Sequence, residues 1–317
     1  MTDSPVVSVI IPAYNTARWI GEQLGSLRAQ LDAPPFEVLV CDNNSTDGTA
    51  ATARAAADGL DLRIIDASGP PSAAHARNCG AQEARGSLLL FCDSDDLVDS
   101  HWVSELTHVA SITSGALVAG RLHHQRFNDP DVRYAYHLPS EPSVSEVLAS
   151  AHSVEEAGPF AGYLPSAPGG NLAIERQLYL DLGGMDPRFP GGSEETDFSW
   201  RAQRAGVRMV SASKAIVHYR LRSDPRGIFR QQRIQQRARI YLWTRHGEYG
   251  MIGPSWKYSL GHFLRDLIAL ITSRGDKARK LRAAYDLGGS VGALEGMLKY
   301  RVVATLSASR RRKHSAR

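Results

Sequence analysis

Four short apolar runs recur in the first third of the chain, and segments of helical character separate them. The runs span residues 6–11, 36–41, 62–65 and 87–92. Three segments between them are each long enough for a crossover helix, at residues 18–30, 46–57 and 72–84. Ser45 and Thr46 are candidate caps of the second helix. Short apolar runs that alternate with helices predict an α/β fold whose mainly parallel sheet is covered on both faces.

Two other patterns follow this alternation, which ends near Asp99. Residues 123–168 are irregular and contain His and Pro, which predicts loops with short elements, as in substrate-specific insertions. From Arg226 onward the chain is basic, and apolar residues at three- and four-residue spacing between Trp256 and Ile271 predict an amphipathic helix. We therefore expect a domain at 1–222 and a basic, mainly helical extension at 223–317, with a frayed tail at 310–313.

Charge is distributed unevenly along the 317 residues, although the net charge is only +4. Residues 201–317 hold 26 Lys and Arg against 6 Asp and Glu, whereas residues 1–200 hold 11 against 27. This division predicts an acidic unit that can hold cations and a basic segment that meets phosphates, acidic glycans or a membrane surface. A basic helical face that is merely solvated is the alternative.

Cysteine usage and the N-terminal sequence bear on the cellular compartment. Cys41, Cys79 and Cys92 show no Cys-x-x-Cys spacing, which favours reduced thiols in a cytosolic protein. The N-terminal residues lack the basic and apolar parts of a secretory signal, and the apolar stretch at 264–271 is far shorter than the ~18 residues that span a bilayer. We expect a cytoplasmic protein that is peripheral at the inner face of the cell membrane.

Polar and acidic residues follow the apolar runs, at the strand ends where open parallel sheets bind ligands. These segments are Pro-Ala-Tyr-Asn at 12–15, Asp-Asn-Asn-Ser-Thr-Asp-Gly at 42–48, and Asp-Ser-Asp-Asp at 93–96. Three acids within four residues repel one another unless a cation or a proton satisfies them, and carboxylates without nearby Cys favour Mg²⁺ or Mn²⁺. A solvated acidic turn that caps the next helix is the alternative. No Gly-x-Gly-x-x-Gly or Gly-Lys-Ser/Thr loop follows the first strand, which disfavours dinucleotide and P-loop sites.

The order of these motifs resembles that of the family-2 glycosyltransferases over roughly residues 7–222. The segments that carry the resemblance are VSVIIPAYN at 7–15, DNNSTDGT at 42–49, ARNCG at 76–80, FCDSDD at 91–96, GGN at 169–171 and EETD at 194–197. The resemblance implies the GT-A fold, a Rossmann-like domain with a mixed, mainly parallel sheet flanked by helices, followed here by the helical extension. It also implies transfer of a sugar from a nucleoside diphosphate sugar, with a UDP-sugar favoured, to an acceptor hydroxyl.

By this resemblance, one group of residues would bind the nucleotide. Its members are Pro12, Ala13, Tyr14, Asn15, Asp42, Arg77, Asp93 and Ser94. The first three would line the nucleobase pocket, Asp42 would accept a hydrogen bond from the base, and Asp93 would lie near the ribose. Taken alone, residues 43–48 also fit an Asx turn with a helix cap, and Arg77 also fits a surface position. Asn43 stands where relatives often carry a second acid, which leaves the identity of the nucleobase open.

The resemblance also implies a divalent metal, Mg²⁺ or Mn²⁺, bound to Asp95. His218 would be a further ligand, and a satisfied core histidine is the alternative. The acceptor or the sugar would lie against Gly169, Gly170 and Asn171, although Gly-Gly-Asn is also a common turn.

The general base would be Glu195, at a position where relatives usually carry the Asp of a Glu-Asp pair. Glu194 and Asp197 are the alternatives, and acids in a first helical turn also suit the helix dipole. The implied reaction is a direct displacement at the anomeric carbon that inverts its configuration, with a carboxylate taking the acceptor proton.

The expected partners follow from this chemistry and from the basic extension. We expect a nucleotide-sugar donor and a glycan or lipid-linked acceptor, in polysaccharide, glycolipid or cell-surface glycan synthesis, and no nucleic acid. The extension would hold the protein at an anionic membrane or at an acidic, lipid-linked acceptor. In the alternative, its apolar stripe packs onto the catalytic domain or builds a homo-oligomer.

Two other functions compete with this interpretation. A nucleotidyltransferase also uses carboxylate-held Mg²⁺, but it would normally carry a Gly-rich basic loop after the first strand, and residues 12–19 hold no glycine. A catalytically silent nucleotide-sugar-binding or scaffold module is disfavoured by the presence of Asp93, Asp95 and Glu195 together, since the fold alone does not decide function.

Overall fold

The computed structural model describes residues 7–150, 154–156, 158–273 and 275–302, so the basic run at 310–313 lies outside the described residues. The described strands are β1 Val7–Ala13, β2 Phe36–Asp42, β3 Asp61–Asp66, β4 Leu88–Cys92, β5 Leu97–Val98, β6 Leu117–His123, β7 Val154–Glu156, β8 Asn171–Glu175 and β9 Met209–His218.

The α-helices among these residues fall into two groups along the chain. Those of the first part are α1 Ile20–Arg28, α2 Thr49–Ala55, α3 Ala73–Glu83, α4 Trp102–Ile112, α5 Pro130–Ala135, α6 Val144–Ala149, α7 Arg176–Asp181 and α8 Glu194–Arg204. Those of the last part are α9 Pro225–His246, α10 Trp256–Thr272 and α11 Lys277–Gly296, with a 3₁₀ turn at Gly247–Tyr249 and a π-helical segment at Met297–Val302.

The described strands form one mixed sheet in the order β3-β2-β1-β4-β8-β6-β9-β5, with β7 on β9. The strands β3, β2, β1 and β4 run parallel to one another. β8 runs antiparallel between β4 and β6, β6 is parallel to β9, and β5 and β7 are antiparallel to β9. The prediction of a mixed, mainly parallel sheet flanked by helices, with a C-terminal helical region, is confirmed.

Both faces of the sheet are covered, which explains why its strands read as continuous apolar runs. Val9 of β1 and Leu90 of β4 pack toward α1 and α4 on one face. Ile10 and Phe91, their neighbours in sequence, pack toward α3 and α7 on the other face. The period of two along each strand thus feeds two separate cores.

The loops after β1 and β2 are bound to each other. The Asn15 backbone N–H donates to Ser45 Oγ at 3.0 Å, and the Thr46 N–H donates to Asn15 Oδ1 at 2.8 Å. The prediction that Ser45 and Thr46 cap α2 is wrong, because the residue at the N-cap is Gly48 and it makes no side-chain cap bond. The two residues fix the strand ends instead.

The helices of the last part pack on one another and on the sheet domain. Glycines on α11 bring it close to α9: a Cβ atom on Gly288 would lie 2.5 Å from the Phe229 carbonyl oxygen, and one on Gly292 would overlap the Arg233 carbonyl. At the other end of α9, His246 Nε2 lies 2.8 Å from Asp197 Oδ1 of α8. α9 is therefore anchored to the helix that carries the predicted base.

Candidate active site

A cleft of about 680 Å³ lies at the carboxyl ends of β1 and β4, where the topology predicts ligand binding. Its walls come from the loops after these strands, from α3, from the segment before β8, from the start of α8 and from α9. The predicted site residues that line it are Pro12, Ala13, Tyr14, Arg77, Asp93, Ser94, Asp95, Gly169, Gly170, Glu194 and Glu195.

A buried arginine joins the two acidic sides of the cleft. Arg77 of α3 is only 4% exposed, so it is not the surface residue that the sequence also allowed. Its Nη2 lies 2.7 Å from Asp93 Oδ1, and its Nη1 lies 3.5 Å from Glu194 Oε1. Burial would lower the pKa of the guanidinium, but Asp93 and Glu194 hold that pKa above its ordinary value. Arg77 therefore carries a fixed positive charge between the β4 loop and α8.

The backbone before α8 turns the first helical acids into the cleft. Three consecutive residues adopt positive φ, with 91° at Gly191, 132° at Gly192 and 68° at Ser193. Glycine adopts these angles without steric cost, and a single Ser can adopt the left-handed helical region. α8 then begins directly at Glu194, so its positive dipole end points at the cleft.

Glu195 has the protonation behaviour of a general base. Burial, and next the negative charge of Glu194, raise the pKa of the Glu195 carboxyl to about 7. A base whose pKa lies near the operating pH combines an ionised fraction with a strong drive to take a proton. The Gly169 backbone packs directly on this side chain, since a Cβ atom there would lie 3.2 Å from Glu195 Cβ.

The acids after β4 form a negatively charged edge of the cleft. Burial, and next the negative charge of Asp93, raise the pKa of Asp95. Asp96 is 2% exposed, accepts the Arg220 backbone N–H at 2.7 Å through Oδ1, and leaves Oδ2 buried without a hydrogen-bond partner. Arg222 is the cation near Asp95, with Nη2 3.8 Å from Asp95 Oδ2 and the side chain 59% exposed.

This edge fits a hard divalent cation that is shared with a substrate. Among the described residues, no three His, Cys, Asp or Glu side chains gather into a metal site. Mg²⁺ typically binds through one or two carboxylates while substrate phosphates and water supply its other ligands. Asp95 lies in the cleft, where burial and the negative charge of Asp93 raise its pKa, and a divalent cation would offset both effects.

Comparison with known proteins gives the same family as the motifs. Residues 8–159 match the family described as Glycosyl transferase family 2. Glycosyltransferase AglE of Haloferax volcanii is 32% identical over 178 residues, which are 51% of this chain and 58% of the relative. The resemblance to the family-2 glycosyltransferases is confirmed over residues 8–159.

Other curated relatives match this chain over a smaller share of their own length. The O-antigen biosynthesis protein RfbC of Myxococcus xanthus is 26% identical over 234 residues, 68% of this chain and 17% of the relative. The match therefore spans little more than half of the length of AglE and a smaller share of the length of the other curated relatives.

Solved structures share the GT-A-like fold of this chain. Staphylococcus aureus TarS residues 1–349, solved in complex with UDP, matches with a TM-score of 0.55 at 18% identity, covering 91% of this chain and 90% of that one. The mannosyltransferase PcManGT from Pyrobaculum calidifontis, solved in complex with GDP-Man and Mn²⁺, matches with a TM-score of 0.56 at 20% identity, covering 97% and 81%. At these identities the likeness shows the fold.

Two residues predicted to bind the nucleotide lie outside the cleft. Asn15 fastens the β1 and β2 loops together, as described above. Asp42 accepts the Ser45 N–H at 3.0 Å and lines a separate small pocket beside α2. The residue that faces the cleft at the end of β2 is the next one, Asn43, because successive strand residues point to opposite sides.

Two further predicted contacts are buried structural groups. Asn171 is fully buried, where its Oδ1 accepts the Trp102 indole N–H at 2.8 Å and its Nδ2 donates to the carbonyls of Arg121 and Ala215 at 2.9 Å each. His218 is 5% exposed, and its Nε2 lies 3.4 Å from Asp99 Oδ2. Neither side chain lines the cleft, so the geometry favours the core-histidine alternative for His218 and a structural role for Asn171.

Asp197 is the third acid of α8 and faces away from the cleft. It is 1% exposed and binds His246 at 2.8 Å and Arg201 at 2.8 Å. Burial alone would raise the pKa of Asp197, but these hydrogen bonds hold it below its ordinary value. A buried carboxylate held in this way is a poor proton acceptor, which separates it from Glu195.

The cleft residues that the sequence analysis missed include two from the C-terminal extension and one just before it. Gln231 and Gln235 of α9 line the cleft, together with Arg222, which precedes this helix. Their spacing of four residues places both amides on one helix face, and this was the available signal. The boundary predicted at residue 222 thus divides residues that share one cleft.

Proposed function

We propose that this chain is an inverting glycosyltransferase that moves a sugar from a nucleoside diphosphate sugar to an acceptor hydroxyl. The proposal rests on one observation: two groups of residues with different chemistry line the same cleft. One end holds Asp93 and Asp95 beside the buried cation Arg77, and the other holds Glu195, whose pKa is raised to about 7. A donor and an acceptor need these two ends within reach of one another.

The donor lies along the ends of β1 and β4. Pro12, Ala13 and Tyr14 supply an apolar and aromatic surface for the nucleobase, with Tyr14 59% exposed at the mouth. Asn43 presents an amide beside this surface, and its Oδ1 accepts the Ser72 N–H at 3.0 Å, which fixes the side chain. Asp93 is orientated by its ion pair with Arg77 and faces the sugar end of the nucleotide.

Asp95 would hold a divalent Mg²⁺ or Mn²⁺ against the diphosphate, where the ion would neutralise the charge of the leaving group. PcManGT, a structural neighbour, was solved with Mn²⁺ and a nucleotide sugar, which supports a metal of this class. Arg77 adds a fixed positive charge on the same side of the cleft, and its burial strengthens that field.

Glu195 removes the proton from the acceptor hydroxyl as that oxygen attacks the anomeric carbon. The nucleoside diphosphate leaves from the opposite face of the sugar, so the configuration inverts. Gly169 and Gly170 keep the wall between the two ends low, because a Cβ atom on Gly170 would overlap the Asp93 carboxylate. The sugar can therefore lie directly over the backbone there.

A UDP-sugar is the favoured donor, and a glycan or lipid-linked hydroxyl is the favoured acceptor. TarS was solved with UDP and with UDP-GlcNAc, and PcManGT with GDP-Man, which supports a nucleoside diphosphate sugar as the donor class. The amide oxygens of Gln231 and Gln235 accept hydrogen bonds from Tyr136 and Gln232, which leaves the amide N–H groups to donate to sugar hydroxyls on the Glu195 side of the cleft.

A screen of nucleotide sugars tests this proposal. The full chain is incubated with UDP-, GDP- and other nucleotide sugars in Mn²⁺ or Mg²⁺, and release of the nucleoside diphosphate is measured. We expect release from at least one donor, loss of release in excess chelator, and loss in the Asp95→Asn variant. Release that persists unchanged in chelator and in this variant would contradict the metal role, and no release from any donor would contradict the activity.

A further inference from the structure

The orientation of α10 is the reverse of that expected for a helix on a protein surface. Its outward face consists of large apolar side chains that are 37–62% exposed. The residues of this outward face are Trp256, Leu260, Leu264, Leu267, Ile268 and Ile271. At about 100° per residue they fall within a single stripe along the helix. A contiguous apolar stripe of this kind marks an interaction surface rather than a solvated face.

The polar side of the same helix is the side that packs inward. Ser259 is 7% exposed and Asp266 is 2% exposed, although they are polar residues on a surface helix. The Ser290 hydroxyl of α11 donates to Asp266 Oδ2 at 2.5 Å, and this bond fixes the rotation of α10 about its axis. A rotation of α10 that buried the outward face would expose Ser259 and Asp266 and would break the bond to Ser290. The exposure of the apolar face therefore follows from the way α10 packs.

Charge around the outward face identifies the chemistry of its partner. Lys257 and Arg265 are the two cations of α10 and both are exposed, whereas its one acid, Asp266, points inward. The described residues 251–273 and 275–300 hold 7 Lys and Arg against 4 Asp and Glu. Two copies of the chain that met through this face would bring like charges together, whereas anionic headgroups would complement them.

We propose that the outward face of α10 docks on a bilayer that contains anionic lipids. The helix lies in the plane of the interface, with its apolar stripe among the acyl chains and its cations at the headgroups, as interfacial amphipathic helices do. Trp256 lies at one end of the stripe, where an aromatic ring suits the headgroup level. No helix in the described parts of the chain is long and apolar enough to cross a bilayer, so the docking is peripheral.

This inference does not depend on the proposed enzymatic function, because it concerns binding to lipid alone. The test uses the full chain and vesicles of two compositions, phosphatidylcholine alone and equal parts phosphatidylcholine and phosphatidylglycerol, with co-sedimentation as the readout. The variant is Leu264→Ser with Ile268→Ser, since both side chains are more than half exposed and their replacement leaves the fold intact. The matched control is Leu31→Ser with Ile112→Ser, which changes two equally exposed residues outside α10.

We expect the chain to sediment with anionic vesicles at low salt and much less with neutral vesicles, and we expect added salt to release it. The α10 variant should bind about tenfold more weakly or worse, because two apolar side chains no longer enter the bilayer, while the control should bind as the parent chain does.

Three results would overturn the inference. They are no sedimentation with anionic vesicles at low salt, equal binding by the α10 variant and the parent chain, and a concentration-dependent oligomer in lipid-free solution that the α10 variant abolishes. The last result would assign the outward face to a second copy of the chain.

Discussion

The three acids at the start of α8 have different surroundings although they lie within one turn of helix. Glu194 pairs with Arg77, Glu195 faces the cleft, and Asp197 is buried against His246 of α9. The sequence predicted that an acid in this turn acts as the base, but it could not show which one. Neighbouring helix positions differ by about 100° in direction, and only the packing of α9 fixes which direction is buried.

The pH dependence of transfer should report the pKa of Glu195. The base acts only when ionised, so kcat/KM should rise with pH through about 7. Glu194→Gln removes a neighbouring negative charge that raises this pKa, so the rise should move to lower pH. The control Glu83→Gln changes a carboxylate that is 57% exposed on α3 and should leave the profile in place. A profile that Glu194→Gln leaves unmoved or moves to higher pH would refute this electrostatic account.

Asn171 shows that an asparagine in this motif can either contact a ligand or hold the protein core together. The sequence Gly-Gly-Asn predicted a contact with acceptor or sugar, and the structure gives the asparagine three buried hydrogen bonds. Asn171→Ala would leave an indole N–H and two carbonyls unsatisfied, so we expect a loss of about 3 kcal/mol in the free energy of unfolding.

Chemical denaturation measures this loss. The control Gln177→Ala removes an exposed amide on α7 and should change stability by less than about 0.5 kcal/mol. A variant of Asn171 that kept full stability and altered only the KM for acceptor would restore the sequence-based interpretation.

Helix α9 links the C-terminal part to the cleft. It contributes Gln231 and Gln235 to one wall, and its last residue, His246, binds Asp197 of α8. From the sequence, the change to a basic helical pattern near Arg226 looked like a boundary. A change in composition along the sequence does not have to be a boundary in the structure. The cleft is formed where the faces of helices and loops meet, and this is visible only in the folded chain.

Gln235→Ala should weaken transfer without weakening nucleotide binding. The side chain packs beside the loop that leads to Glu195, where a Cβ atom on Gly192 would lie 3.6 Å from Gln235 Cγ. Loss of about one hydrogen bond to a sugar hydroxyl should lower kcat/KM for transfer roughly three- to tenfold, with affinity for the nucleoside diphosphate unchanged.

The matched control for this prediction is Gln236→Ala, one position further along α9. Gln236 faces α11, where a Cβ atom on Gly289 would lie 3.5 Å from Gln236 Cγ. Equal losses from both variants would show that the effect comes from the helix and not from the wall of the cleft.

At the scale of the whole molecule, the apolar runs were enough to predict the sheet and its first four strands. The runs of β1, β2 and β4 lie between two helical layers, so their composition follows from burial on both faces. The later strands were harder to predict because the irregular region at 123–168 separates β6 from β8 and β9, and their pairing joins residues far apart in sequence. The orientation of α10 was also beyond the sequence, since an apolar stripe predicts an amphipathic face without showing whether it points inward.

The central claim is that the cleft has two ends with different chemistry. One end binds the nucleotide, and the other holds the general base, Glu195. This claim rests on Glu195 lying in the cleft with a raised pKa while Arg77 and Asp93 pair beside the nucleotide surface. The two ends can be separated experimentally, because binding of the nucleotide and transfer of the sugar are measured independently on the same variant.

The most direct test is therefore the Glu195→Gln variant, assayed for sugar transfer and for nucleoside diphosphate affinity by calorimetry, beside Asp197→Asn. We predict that Glu195→Gln lowers transfer about 10²- to 10⁴-fold with nucleotide affinity close to that of the parent chain. Asp197→Asn should instead lower stability, because it weakens a buried network with His246 and Arg201. Transfer at the parent rate in Glu195→Gln, or its specific loss in a fully stable Asp197→Asn, would contradict the account.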